Sequence, residues 1–176
     1  LKNICVVLVE PNPLMYSNWI YKYATRIYCL AIGKTKKGFE SGKLYLAENS
    51  MHSEGSSIYQ NKINVSFSKY IDTTIINPSL FIKLIKKSLQ ITKKDKIILR
   101  LNCEGSEDII LREFIDKFQE QLLLCMGSID DVRKIFGIKK YQELSDHLLN
   151  SNLSFIDFNT KLDSWVKAFN SISEVL

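Results

Sequence analysis

The chain has 176 residues, 45% of them apolar, with only 3 Pro, 7 Gly and a net charge of +5. That is enough to bury well over half of the extended-chain surface in a single domain spanning residues 1–176, and it excludes disordered and fibrous classes. No apolar run reaches the roughly 18 residues that cross a bilayer, and the opening LKNICVVLVEPNP is too short and too soon interrupted for a signal peptide, so the expectation is a cytoplasmic protein with no membrane partner.

Cys5, Cys29, Cys103 and Cys125 stand singly in apolar stretches, with no C-x-x-C pair and only His52 and His147 as co-ligands. They read as buried, reduced side chains rather than as a metal site. Positive charge gathers between Lys83 and Arg100, where Lys83, Lys86, Lys87, Lys93, Lys94 and Lys96 face Asp95 alone. The run has no interleaved aromatic platform, so it reads as a solvated face and not as a nucleic-acid surface.

In chain order, Val6–Val9 is a β-branched run ending in Glu10-Pro11-Asn12-Pro13, a buried strand followed by a turn. Asn12 can accept from first-turn amides and Pro13 suits the first helical position, which predicts a helix over 14 to about 25 that buries Met15, Trp19 and Tyr23. A second strand is expected over Ile27–Ile32, then a basic loop from Lys34 to Lys43, a short strand at Leu44–Leu46 and a Ser-rich loop from Ala47 to Ser57. Residues 63–76 carry one or two further strands, which Asn77-Pro78 ends. From Ser79 to Gln90, Leu80, Phe81, Leu84, Ile85 and Leu89 share one face, with lysines opposite, as in a crossover helix.

Ile97–Cys103 is the clearest strand, and it runs into Glu104-Gly105-Ser106-Glu107 and a helix over about 106–122, whose first turn carries Glu107 and Asp108 for the helix dipole. A strand follows at Leu122–Met126. Ser128-x-x-Asp131 and Thr160-x-x-Asp163 resemble capping sequences and predict helices at 129–136 and 161–175. A helix near Tyr141–Leu149 and a strand at Leu153–Phe158 lie between them, His147 is expected in solvent, and Leu162, Trp165, Val166, Phe169 and Ile172 are expected to be buried. Strands alternating with helices predict an α/β fold, a mostly parallel sheet with helices on both faces.

In such sheets ligands bind outside the carboxyl ends of strands. Two of those ends carry acids, Glu10 and Glu104. A carboxylate there can accept both hydroxyls of a ribose, or it can complement the dipole of the helix that follows. For Glu10 both alternatives stand. His52 in the Ser-rich loop is either an acceptor-orienting side chain or a plain surface histidine.

The segment from Ile32 through Ser56–Tyr59 (SSIY) to Ile97–Leu111 (IILRLNCEGSEDIIL) resembles the FkbM-like methyltransferases. Their motif is a strand ending in D-x-E-G-x-E and leading into a helix, matched here by Asn102-Cys103-Glu104-Gly105-Ser106-Glu107, while Val9–Pro13 (VEPNP) looks like the acidic end of the family's second strand. The resemblance covers residues 4 to 122 or so. It implies a Rossmann-like class I methyltransferase fold, S-adenosylmethionine as cofactor, and a small-molecule or carbohydrate acceptor methylated on oxygen. It also implies that Glu10 holds the ribose, that Ala31 and Ile32 lie against the adenine, and that Asn102 and Glu104 face the methionine end and the acceptor; His52 and Ser57, in the Ser-rich loop, are the candidate acceptor-binding residues. Asn102 stands where the family has Asp and cannot take a proton, which leaves Glu104 as the base. Its alternative is an ion pair or cap at the next helix.

Because the chain opens at Leu1 directly in a strand, with no G-x-G-x-x-G anywhere, the family's first strand and glycine-bearing turn are expected to be missing from its N-terminus. The rival expectation is therefore a non-catalytic methyltransferase-like binding or accessory domain. Phe155, Phe158, Trp165 and Phe169 read as core, the alternative being that an exposed subset of them forms a homodimer surface.

Overall fold

The computed structural model describes residues 4–48, 54–157 and 162–175. They fall into two compact units, Leu1–Leu80 and Phe81–Leu176.

In the first unit, β1 (Val7–Val9) pairs in parallel with β2 (Arg26–Tyr28), with Leu8 opposite Ile27. Between them lie two 3-10 turns, Pro13–Ser17 and Trp19–Tyr23, in place of the single α-helix expected over 14–25. The break is at Asn18, which sits in the extended region and whose side chain accepts from Ile20 N at 3.1 Å. A short amide side chain competes there with the helical ladder. The segment is too short to bury an apolar face, so Trp19 and Tyr23 stack edge-to-face on the surface, 67% and 70% exposed, and Met15 is only half-buried. The anticipated start is present: Asn12 accepts from Leu14 N at 3.1 Å, and Pro13 opens the first turn.

The strand expected over Ile27–Ile32 is two strands, because the chain changes partners at Cys29-Leu30. β3 (Ala31–Ile32) leaves β2 and pairs in parallel with β5 (Val65–Ile76), which also pairs antiparallel with β4 (Phe39–Ala47). The long antiparallel ladder draws in Phe39–Lys43, which sequence places in a loop. Cross-strand side chains hold it: Tyr45 opposes Tyr70 with ring centroids 6.2 Å apart, and Lys43 Nζ lies 3.7 Å over the Tyr70 ring.

α1 (Pro78–Leu89) begins where Asn77 Oδ1 accepts from Ser79 N at 2.9 Å. Phe81, Ile82 and Ile85 are buried, while Leu84 is 39% exposed. Lys86 lies 4.3 Å over the ring of Phe118, and most of the basic run from Lys83 to Arg100 is solvated as expected.

The second unit is built on β6 (Ile97–Leu101), β7 (Leu122–Gly127) and β8 (Phe155–Asp157), all parallel in that order. α2 (Glu107–Phe118) connects the first two strands, and α3 (Asp130–Phe136) and α4 (Ile138–Asn150) connect the second pair. α5 (Leu162–Val175) packs on β7 and β8. β7 is central and nearly all of it is buried, as a parallel strand covered on both faces requires. Leu124, Met126, Ile156 and Ala168 form one core, flanked by Ile98, Leu123 and Ile172. β6 and β7 approach so closely that an added Cβ on Gly127 would stand 2.3 Å from Leu101 O.

The described residues therefore form a mixed α/β fold, and among them each of the three small sheets has parallel pairing, one sheet is mixed in direction and the strands do not form a single ladder. Smaller expectations are also corrected. The side chain of Ser128 does not cap α3, whose N-cap is Ile129 with no side-chain cap bond. Val166 and Phe169 are 52% and 70% exposed because the buried stripe of α5 runs through Ala168 and Ile172. His147 is half-buried beside the Leu144–Leu148 stripe of α4, and its Nε2 has no hydrogen-bond partner among the described residues. Cys5 and Cys29 are exposed because both flank the short β1–β2 pair; Cys103 is half-buried and only Cys125 is buried. Thr160 and Phe158 lie outside the described residues. No helix among the described residues is long and apolar enough to cross a membrane.

Candidate functional site

The richest convergence of polar groups lies in the second unit, at the carboxyl end of β6. There the chain leaves Leu101 and turns sharply through Asn102–Ser106 into α2. Asn102 is exposed and Glu104 is half-buried. Glu104 takes φ +56°, in the left-handed region that non-glycine residues avoid, and Gly105 follows at φ +124°.

Glu107, at the first position of α2, holds this turn. Its side chain is buried, with Oε1 accepting from Cys103 N and Oε2 from Gly105 N, each at 2.8 Å. Burial pushes its carboxyl up to about 7, and the nearby Asp131 carboxylate of α3 adds to the rise, while the backbone amides oppose it. Asp108 is equally buried but charge-paired: Arg112 Nε reaches it at 2.7 Å and Lys140 Nζ of α4 at 3.0 Å. Sequence reasoning placed Glu107 and Asp108 as dipole partners and missed this role. The available signal was the backward reach of an acid in the first turn, as in a capping box; the burial itself depends on α3 and α4, which a local pattern does not show.

Glu10 lies in the first unit, directly after β1 as expected, and is half-buried. Its Oε1 accepts from Asn12 N at 2.7 Å, its carbonyl accepts from the Tyr16 hydroxyl at 2.6 Å, and the Tyr21 hydroxyl also binds the carboxylate. Burial raises the Glu10 carboxyl above its ordinary range, and the two hydrogen bonds partly offset this. Burial and the Glu10 charge together push the Tyr21 hydroxyl up to about 12.

No family model, curated protein or solved structure matches this chain.

The remaining nominated residues are dispersed. Ala31 is buried and Ile32 half-buried in β3 of the first unit. Ser57 is also in that unit, buried in an antiparallel bridge with Tyr45, and its Oγ accepts from Tyr59 N at 3.1 Å. His52 lies outside the described residues. The second unit also has an open recess of about 370 Å³ between α4 and β8, lined in part by Ile129, Tyr141, Ser145, Leu148, Phe155 and Asp157. Its volume is that of a small-molecule site, but no nominated residue lines it. Among the described residues no three His, Cys, Asp or Glu side chains gather as a metal ion would require.

Proposed function

We propose that the chain is part of an S-adenosylmethionine-dependent methyltransferase that methylates an oxygen of a small molecule or sugar. The observation that carries this is the N-C-E-G-S-E turn: it stands at the carboxyl end of a parallel strand, leads into a helix, and sets Glu104 in a left-handed conformation at its apex.

A carboxylate has about four acceptor positions, and the Asn12 amide and the Tyr21 hydroxyl account for two on Glu10, so capacity remains for ribose hydroxyls. Bound S-adenosylmethionine supplies a methyl group already activated on a sulfonium sulfur. Asn102 would orient ligand through its amide, and Glu104 would take the proton of the acceptor hydroxyl at its carboxylate.

A second reading, an accessory module that binds without catalysis, is favoured by the internal hydrogen bonds of Glu10, which suit a loop clamp as well as a ligand site.

Calorimetric titration of S-adenosylmethionine and S-adenosylhomocysteine into this chain, and into a version extended upstream, separates the two. The methyltransferase requires saturable binding with a Kd below about 1 mM, or about −4 kcal/mol, in at least one form. Heats no larger than dilution in both forms would remove the methyltransferase and leave the accessory module.

A further inference from the structure

We infer that Glu107 is a positioning residue, whose buried carboxylate brackets Glu104 between two pinned amides and so fixes Asn102 and Glu104 at the carboxyl end of β6. What the turn serves rests on the methyltransferase proposal; the bracket itself rests on geometry alone.

The two amides that Glu107 receives belong to Cys103 and Gly105, one on either side of Glu104. The Cys103 amide lies in the peptide plane that joins Asn102 to Cys103 and the Gly105 amide in the plane that follows Glu104, so the Cys103-Glu104 pair is tied at both ends to one rigid group. That group cannot wander: its side chain is buried, and its backbone lies in the first turn of α2, where Ile110 N already bonds Ser106 O at 3.2 Å. The tie matters because Glu104 is in a conformation it would leave if released. An unconstrained glutamate relaxes toward the right-handed or extended regions, and either move swings the Glu104 carboxylate and the preceding Asn102 away from their present directions.

The neighbouring acid shows the contrast. Asp108 is buried with two cations and so has an ordinary ion-pair role. Glu107 forms no ion pair among the described residues, and its two carboxylate oxygens accept from the Cys103 and Gly105 amides of the turn. An acid buried at such desolvation cost, with its hydrogen bonds spent on one strained turn, is placed to hold that turn's shape.

Amide hydrogen exchange followed by NMR tests this in the whole chain. In the parent protein the Cys103 and Gly105 amides should be protected. In Glu107→Ala both should exchange at least about tenfold faster, while Leu124 and Met126 in β7 keep their rates. Glu107→Gln retains one carbonyl acceptor and should keep one of the two amides protected, a partial rescue that a general loss of stability would not produce. If the Ala variant fails to fold, the Gln variant carries the test by the same residue-specific pattern.

Unchanged rates at Cys103 and Gly105, or a uniform rise across β6, β7 and β8, would overturn the inference. S-adenosylhomocysteine titrated into the same samples serves as the probe ligand. Affinity lowered roughly tenfold or more in Glu107→Gln supports positioning of a binding turn, and affinity equal to that of the parent overturns it. Absence of S-adenosylhomocysteine binding in both the parent chain and its upstream-extended form, with the bracket intact, overturns only the methyltransferase assignment.

Discussion

Replacing Glu107 by Gln should change how stability depends on pH, not merely its size. The folded-state carboxyl titrates near 7 against an ordinary value of 4.5. Below pH 4.5 the group is protonated whether the chain is folded or unfolded, so its contribution to stability is fully present. As pH rises the unfolded chain ionises first, and stability is lost until the folded-state group ionises near 7. The difference corresponds to a loss of about 3 kcal/mol between those limits.

Gln cannot ionise, so the variant lacks this loss. It has its own cost, because one amide of the turn then meets an NH₂ group instead of an acceptor, about 1–3 kcal/mol. Urea unfolding followed by circular dichroism at pH 4.5, 6, 7 and 8 should show the variant less stable than the parent at the acid end. The gap should close or reverse by pH 8. A gap that stays constant, or widens, with rising pH would refute the assignment of a desolvated, proton-binding carboxyl to Glu107.

Two other substitutions test neighbouring parts of the same unit. Asp108→Ala strands Arg112 and leaves Lys140 only the looser pair with Glu143 at 3.8 Å; both cations are about one-third exposed, so the loss should be about 2–3 kcal/mol, below that of a fully buried pair, as read from urea midpoints. Gly127→Ala places a methyl 2.3 Å from the Leu101 carbonyl oxygen, a backbone atom that cannot swing aside. A destabilisation of at least about 1–3 kcal/mol is expected in thermal unfolding, and a neutral result would mean that β6 and β7 do not approach this closely.

Much of the second unit was legible because its elements are individually periodic. The apolar positions of α1 and α2 recur at helical spacing, β6 is an aliphatic run broken only by Arg100 and β7 is continuously apolar up to Gly127, and the structure places all four within a few residues of expectation. The first unit was less legible because its structure depends on pairing. Phe39–Lys43 looks polar and basic, yet it is strand because β5 offers a long antiparallel partner. Residues 14–23 have helical spacing, yet Asn18 breaks them and no apolar surface covers Trp19.

At the candidate site, sequence by itself determined that an acid follows β1, that an E-G-x-E turn follows β6, and that a helix starts directly after that turn. These features are set by neighbours in the chain. Tertiary structure alone decided which of the two acids in E-G-x-E is buried. Glu107 is enclosed, with the Asp131 carboxylate of α3 close enough to raise its titration, and turns both oxygens to the backbone, while Glu104 is left half-buried at the apex with a positive φ. Burial and proton affinity arise from groups distant in sequence, so a local pattern could suggest the backward reach of Glu107 into the turn but not that it is the enclosed one of the two glutamates.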